Sequence, residues 1–427
     1  MAPTRARSET QPRTRSQSRA QPQTQTQTQP RAKAQSQSQD APVAFFSQAA
    51  TFERLWPLIE ARVHQVFDHG KFSHGGQVAE FEEQLRAYTG AGHVVGVNSG
   101  TDALVLLLRA CGLRPGDGVL VPAYSFIATA SSVVLAGGRP EFVDIDPVTY
   151  AMDPAALTAA VTPASRFVMP AHLFCRMADM GALASVAARH GLTLVEDSAE
   201  AIGMRQGGRH AGRHGAGGVL SFFPSKTLGA LGDAGAVLTD DPRLARQVAA
   251  LRHHGRPGRT LDNFPAISTA SVLPGVNSKM DDLQAAVLLA RLTCLDRDIA
   301  RRAVLGEVYR RRLTGLPGIT RLPLAPTSDR DTADVLYVYL IEAERRDALA
   351  AQLARRGIGT EVYYPVPLPL QPAFAGLGHR PGDFPHAEAA AGRALALPLY
   401  PDLTIQQVER VCAEIHAFCT SDAGGPP

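Results

Sequence analysis

The sequence predicts an α/β protein whose mostly parallel sheet is covered by helices on both faces. Two observations carry this. From His93 to Leu238, short apolar runs alternate with helical stretches at lengths suited to strand–helix–strand units. Polar and reactive residues also recur just after those runs, at Ser99-Gly100-Thr101, Tyr124 to Phe126, His172, Asp197 and Lys226. Open α/β sheets bind ligands at the carboxyl ends of their strands, so these positions are expected to form one site.

The elements follow in order. Thr51 to His69 reads as a helix leading into the body. Gln77 to Tyr88 reads as a second, with Val78, Phe81, Leu85 and Tyr88 on one face. The strand at His93 runs into a polar turn and the helix Ala103 to Cys111. Strands at Gly118–Val121, Arg139–Asp144, Arg166–Pro170 and Leu192–Glu196 alternate with helices at Phe126–Ala136, Pro154–Val161 and Met177–His190. Gly218–Phe223 and Ala234–Leu238 are strands, and Pro242–Leu251 and Lys279–Arg291 are helices. A long helix, Leu295–Leu313, bridges to a second α/β unit. That unit has strands at Leu336–Glu342 and Glu361–Tyr364 and helices at Arg345–Arg356 and Thr404–Phe418. The expected organisation is a tail over residues 1–42, a large domain over 43–295, a small domain over 296–420 and a short tail over 421–427.

Three of the positions after strands carry chemistry. Ser99-Gly100-Thr101-Asp102 opens a helix, where free N–H groups and the helix dipole bind phosphate; the same residues also suit a plain N-cap turn. Asp197 ends an apolar run and is either a helix N-cap or a counter-ion for a protonated pyridine nitrogen. Lys226 leaves the buried run Gly218–Phe223. Burial there would lower its pKa and fit it to form a Schiff base; taken alone, it reads more readily as a lysine that ends the strand and points to water. Phosphate turn, ring-nitrogen carboxylate and Schiff-base lysine are together the three parts of a pyridoxal phosphate site. The loop Arg252-His253-His254-Gly255-Arg256-Pro257-Gly258-Arg259 reads either as a solvated connection or as an anion contact for a phosphorylated substrate.

Charge is uneven. Residues 1–42 hold 7 Lys+Arg and 2 Asp+Glu, while the remainder holds 36 basic and 38 acidic residues. The basic balance belongs to the tail, so the body offers no argument for nucleic-acid binding. The tail is Gln, Thr, Ser, Arg and Pro in near-repeats and is expected to be disordered; removing Met1 to Gln39 is expected to leave activity unchanged. No apolar run reaches membrane-spanning length. The five cysteines, Cys111, Cys175, Cys294, Cys412 and Cys419, form no CxxC pair or cluster with histidines. No metal site is indicated, and the expected location is cytoplasmic.

The ordered blocks resemble the DegT/DnrJ/StrS family of pyridoxal phosphate-dependent sugar aminotransferases. They include Asn98 to Leu104, Val121 to Thr129, Phe142 to Asp146, Val195 to Ala201, Ser221 to Gly235, Met280 to Ala286 and Arg356 to Thr360. The resemblance runs from about Phe46 to Phe418. It implies a type I pyridoxal phosphate fold with a large and a small domain, and it implies site roles. Lys226 resembles the lysine that carries the cofactor, and Asp197 the partner of the pyridine nitrogen. Gly100, Thr101 and Ser221 resemble phosphate ligands, and Phe126 the aromatic that stacks on the ring. Glu200 stands near the ring hydroxyl, where many members have glutamine. Asn277 resembles an asparagine that reaches the phosphate from a neighbouring subunit, which implies a homodimer with shared sites.

The activity implied is transfer of an amino group from an amino acid, usually L-glutamate, to a keto sugar. The run Leu228 to Gly235 is similar to members that aminate C3 of nucleotide-linked 3-keto-6-deoxyhexoses, which implies a thymidine diphosphate sugar in antibiotic or glycan synthesis. Two departures stand out: Cys175-Arg176 where the family has Gly-Gln, and Lys279 where arginine is frequent. The alternatives are a 4-keto nucleotide sugar, a keto-cyclitol, or a regulatory protein that kept the fold without the chemistry. A nicotinamide-dependent oxidoreductase lacks its GxGxxG turn.

Overall fold

The computed structural model describes residues 41–257 and 270–421. Of the expected tails, residues 1–40 and 422–427 lie outside the described residues, as do Gly258 and Arg259 of the basic loop. The helices α1 (Ala49–His69) and α2 (Gly76–Thr89) precede β1 (His93–Val97). Then follow α3 (Gly100–Ala110), β2 (Gly118–Pro122), α4 (Ile127–Leu135), β3 (Arg139–Val143), α5 (Pro154–Ala160), β4 (Ser165–Val168) and α6 (Met180–His190). The chain continues through β5 (Thr193–Leu194), β6 (Glu196–Asp197), a hairpin of β7 (Arg205–Gln206) and β8 (Arg209–His210), β9 (Gly218–Ser221) and β10 (Gly235–Thr239). The hairpin turns on Gly207 and Gly208, both at positive φ, which glycine adopts without a Cβ clash.

The strands form the orders β3-β2-β4-β5 and β6-β9-β10-β1. Only Val195 separates β5 from β6, and the pairing continues past it. Val195 N–H donates to Val168 O at 3.0 Å and Asp197 N–H to Pro170 O at 2.9 Å, while Glu196 N–H donates to Gly217 O at 3.0 Å on the other side. The run Thr193–Asp197 is therefore the central seam joining the two groups of strands. All neighbours pair in parallel except β10, which is antiparallel to both β9 and β1.

Beyond lie α7 (Pro242–Leu251), α8 (Asp282–Leu292) and α9 (Leu295–Leu313). A second, antiparallel sheet in the order β11-β12-β13 follows, built from β11 (Ile319–Arg321), β12 (Tyr339–Ala343) and β13 (Ala394–Leu397). The helices α10 (Arg346–Arg355), α11 (Pro385–Arg393) and α12 (Ile405–Ser421) complete the chain. Val43, Leu305, Tyr309, Ile341, Leu349, Leu395, Val408 and Ile415 pack into a core here, joining α9, α10 and α12 to the sheet.

Several boundaries depart from expectation. The helix expected from Met177 starts at Met180, because Asp179 takes the N-cap and its side chain accepts from Ala182 N–H. The helix expected from Lys279 starts at Asp282. The strand expected at Leu336 starts at Tyr339, since Val335 and Tyr337 N–H groups go to Cys175 O and Phe174 O instead. The strand expected at Glu361–Tyr364 reduces to one bridge between Glu361 and Ala396. Arg252 is not open for an anion: it is buried, pairs with Glu82 Oε1 at 2.7 Å and also donates to Gly96 O. Among the described residues no helix is long and apolar enough to cross a membrane, and no cluster could hold a metal ion.

Candidate active site

A cleft of about 530 Å³ opens at the carboxyl ends of β1, β6 and β9. Its lining includes Gly100, Thr101, Phe126, Asp197, Glu200, Ser221 and Lys226. Asn277 is absent from that lining. It forms a backbone bridge with His253, and its side chain accepts from the Lys279 amine.

One end of the cleft is the start of α3. Ser99 caps the helix, its Oγ accepting from Asp102 N–H at 3.1 Å. The Gly100 and Thr101 N–H groups belong to the first turn, where a helix supplies no acceptor of its own. A Cβ on Gly100 would stand 2.8 Å from Ser221 Cβ, so the missing side chain lets the turn meet the end of β9. Gly235 does the same from beneath, as its Cβ would stand 2.5 Å from the Ser99 backbone. The outcome is two free N–H groups and a serine hydroxyl around one small space, a cradle for a phosphate.

At the floor, Asp197 is buried. Its Oδ2 accepts from Thr129 Oγ1 at 2.7 Å and its Oδ1 from Ala199 N–H at 3.2 Å. Beside it, the His172–Glu196 pair is fully buried at 3.1 Å. Ala178 N–H donates to His172 Nδ1 at 3.2 Å, so the ring proton sits on Nε2 and points at Glu196. Glu196 also accepts from the N–H groups of Gly212, His214 and Gly215. Burial opposes its charge, but the hydrogen bond from His172 Nε2 and these N–H groups hold its carboxyl below the ordinary range.

Lys226 sits in the turn after β9, with its N–H bonded to Phe223 O at 2.8 Å. Its amine lies 3.1 Å from Glu200 Oε1 and 4.5 Å from the centre of the Tyr337 ring. The sequence expectation of a lowered pKa fails here. Burial does push the amine down, but the Glu200 carboxylate, with Tyr337 and Asp197 nearby, outweighs it and holds the ammonium above its ordinary range. Glu200 is itself buried, its Oε2 accepting from Phe174 N–H at 3.1 Å and its Oε1 from Tyr364 O–H at 3.3 Å. Phe126, half exposed at the entry to α4, tilts against Tyr364 with ring centroids 6.1 Å apart.

Sequence reasoning missed Thr129, Tyr337, Tyr363 and Tyr364. Thr129 stands one helical turn after Ser125, a spacing that could have been read as a second polar position on the same face. Nothing local to Tyr337, Tyr363 or Tyr364 marks them; they arrive from the far end of the chain. Buried Arg302 of α9 helps place Tyr337, donating to Tyr337 O at 2.9 Å and Leu399 O at 2.8 Å. Arg176, a departure from the family pattern, does not line the cleft but pairs with Asp334 at 2.6 Å.

Phosphate cradle, buried carboxylate and amine share one cleft, and their donors and acceptors fit pyridoxal phosphate. Residues 57–416 match the DegT/DnrJ/EryC1/StrS aminotransferase family. The chain belongs to that family. It is 40% identical over 369 residues to the dTDP-3-amino-3,4,6-trideoxy-alpha-D-glucose transaminase of Streptomyces venezuelae, covering 86% of this chain and 94% of that protein. It is likewise 40% identical over 367 residues to a pleiotropic regulatory protein of Geobacillus stearothermophilus, covering 86% and 96%. The crystal structure of S. venezuelae DesV in complex with a ketimine intermediate superposes with a TM-score of 0.82 at 40% identity, over 89% of this chain and 99% of that one. The fold is accordingly that of the pyridoxal phosphate aminotransferases, and this DegT-family chain is an aminotransferase that uses pyridoxal phosphate.

Proposed function

We propose that this aminotransferase moves an amino group from L-glutamate to the C3 keto group of a thymidine diphosphate-linked 6-deoxyhexose, in amino-sugar synthesis. The observation that carries the sugar class is the 40% identity to a transaminase whose product is a dTDP-3-amino sugar. The cleft supports it, being lined by Phe126, Phe223, Tyr337 and Tyr363 around the polar groups, a surface suited to a sugar ring.

Pyridoxal phosphate bound there would supply an electron sink for charge developing at the amino-acid α-carbon. The chain's own groups do the rest. Gly100, Thr101 and Ser221 hold the phosphate. Asp197, fixed by Thr129, keeps a proton on the ring nitrogen. Lys226 would carry the group through its amine and, once that amine is free, would take and return a proton at Nζ. Phe126 covers one ring face. Two chains pair so that Asn277 of each completes the phosphate cradle of its partner.

The test is a two-stage turnover. Protein preloaded with L-glutamate and freed of it is challenged separately with the 3-keto and 4-keto thymidine diphosphate sugars and with a keto-inositol, and products are weighed by mass spectrometry. Amination of the 3-keto sugar alone, or at least tenfold faster, is the expected result. Preference for the 4-keto sugar or the cyclitol would overturn the substrate. The name of the Geobacillus relative favours a second reading, a regulator without turnover. Absence of a visible cofactor band would support that one, whereas a band that L-glutamate leaves unbleached would point to another amino donor.

A further inference from the structure

Glu200 accepts at both carboxylate oxygens, which a neutral amide could not do, and its charge is unusual for so closed a position. It is 5% exposed and fixed from three directions. Phe174 N–H holds Oε2 at 3.1 Å, while Tyr364 O–H and Lys226 Nζ meet at Oε1, at 3.3 and 3.1 Å. Phe174 adopts φ of 64°, a left-handed backbone rare for an aromatic residue, at the position that presents its N–H to the carboxylate. The Tyr337 ring closes the remaining side of the amine at 4.5 Å.

We propose that Glu200 is the proton partner of Lys226, holding the amine as ammonium until it is needed and taking its proton as the amine becomes a nucleophile or base. In the forward step the N–H bond breaks with its electron pair left on Nζ, and the proton passes to Oε1. The return restores ammonium and carboxylate, so no other reactant enters. Tyr364 O–H offers a hydrogen bond to the same oxygen at 3.3 Å. The other ionisable groups facing the pair are Asp197, Tyr124, Tyr337 and Tyr363. Burial drives the Tyr364 phenol upward and Glu200 adds to that, so it stays a donor. This rests on reading Lys226 as the cofactor-bearing amine, yet the pair can be probed without cofactor.

The chain holds four lysines, Lys33, Lys71, Lys226 and Lys279, which makes amine labelling clean. Full-length, cofactor-free protein would be labelled with trace acetic anhydride from pH 6 to 11. Modification of Lys226 is read against Lys71 by peptide mass spectrometry. At pH 8, Glu200→Gln should label at Lys226 roughly tenfold or more faster than wild type, one tenfold step per pKa unit removed. Glu200→Asp, which keeps the charge, should stay near the wild-type rate. Equal rates in wild type and Glu200→Gln would overturn the proposal. Wild-type protein gives a second check: a Lys226 midpoint at or below that of Lys71 overturns it without any variant. The visible band on adding pyridoxal phosphate to wild type tests the cofactor reading separately.

Discussion

Thr129 Oγ1 donates to Asp197 Oδ2 at 2.7 Å, and Ser125 Oγ stands 2.7 Å from the same Thr129 oxygen. An ionised carboxylate only accepts, so the Thr129 proton is committed to Asp197 and Ser125 donates in turn. Thr129→Val keeps the shape and removes the donor. It should cost about 1–3 kcal/mol in urea unfolding, the penalty of an unsatisfied buried acceptor. It should also weaken the protonated ring nitrogen, seen as slower bleaching of the visible band by L-glutamate. Unchanged stability and bleaching would show that Asp197 needs no such support.

Gly100→Ala and Gly235→Ala separate two kinds of crowding. At Gly100 the added carbon meets Ser221 Cβ at 2.8 Å, an atom that moves only with the end of β9; at Gly235 it meets the Ser99 and Gly100 backbone itself, at 2.5 and 2.7 Å. Each should destabilise by about 1–3 kcal/mol, with Gly235→Ala the worse. Both should loosen pyridoxal phosphate tenfold or more, about 1.4 kcal/mol, in equilibrium titration of the visible band.

Glu196→Gln keeps one acceptor oxygen and sets an amide N–H₂ against the other pair of donors, either His172 and Gly212 N–H or His214 and Gly215 N–H. The expected loss is about 1–3 kcal/mol, the penalty of buried donors left without acceptors. Denaturant unfolding measures it. The same carboxyl is held below its ordinary range, so its stabilisation is present above that range and lost as pH falls through its folded-state value.

His210 gives a higher pH window. It is buried, takes Gly203 N–H at Nε2 and donates from Nδ1 to Ala211 O, which fixes it neutral. Burial, its largest influence, lowers its pKa from 6.5 to about 4. The unfolded chain therefore binds a proton first as pH falls. Stability is full above pH 6.5 and falls by about 3 kcal/mol on reaching pH 4. Urea unfolding across that range should show the slope in wild type and a flatter one in His210→Gln.

Much of the fold was legible because its strands are apolar, short and bounded by turns: β1, β9 and β10 stand within two residues of their expected spans. β13 was not legible. Ala394-Leu395-Ala396-Leu397 follows the Ala-rich α11 with Gly392 alone breaking the run, and its Ala and Leu favour helix, so the strand comes from tertiary pairing with β12. Of the site, Gly100, Asp197 and Lys226 showed themselves by following strands. Glu200 was placed near the cofactor, but its grip on Lys226 depends on a fold of the chain between residues 200 and 226 that no periodicity reveals. That contact is why the amine's charge runs opposite to what burial alone predicts.

The seam Thr193–Asp197 has a consequence for how the protein comes apart. Its N–H groups are bonded alternately to both sides, to Val168 O and Pro170 O and to Gly217 O, in the middle of seven strands. Fraying at an edge cannot reach them, so their amide protons should exchange with deuterium only when the whole sheet opens. Lys226, by contrast, sits in a turn beyond the end of β9. A chain under thermal stress would loosen the turn that carries Lys226 first and keep Asp197 in place until last.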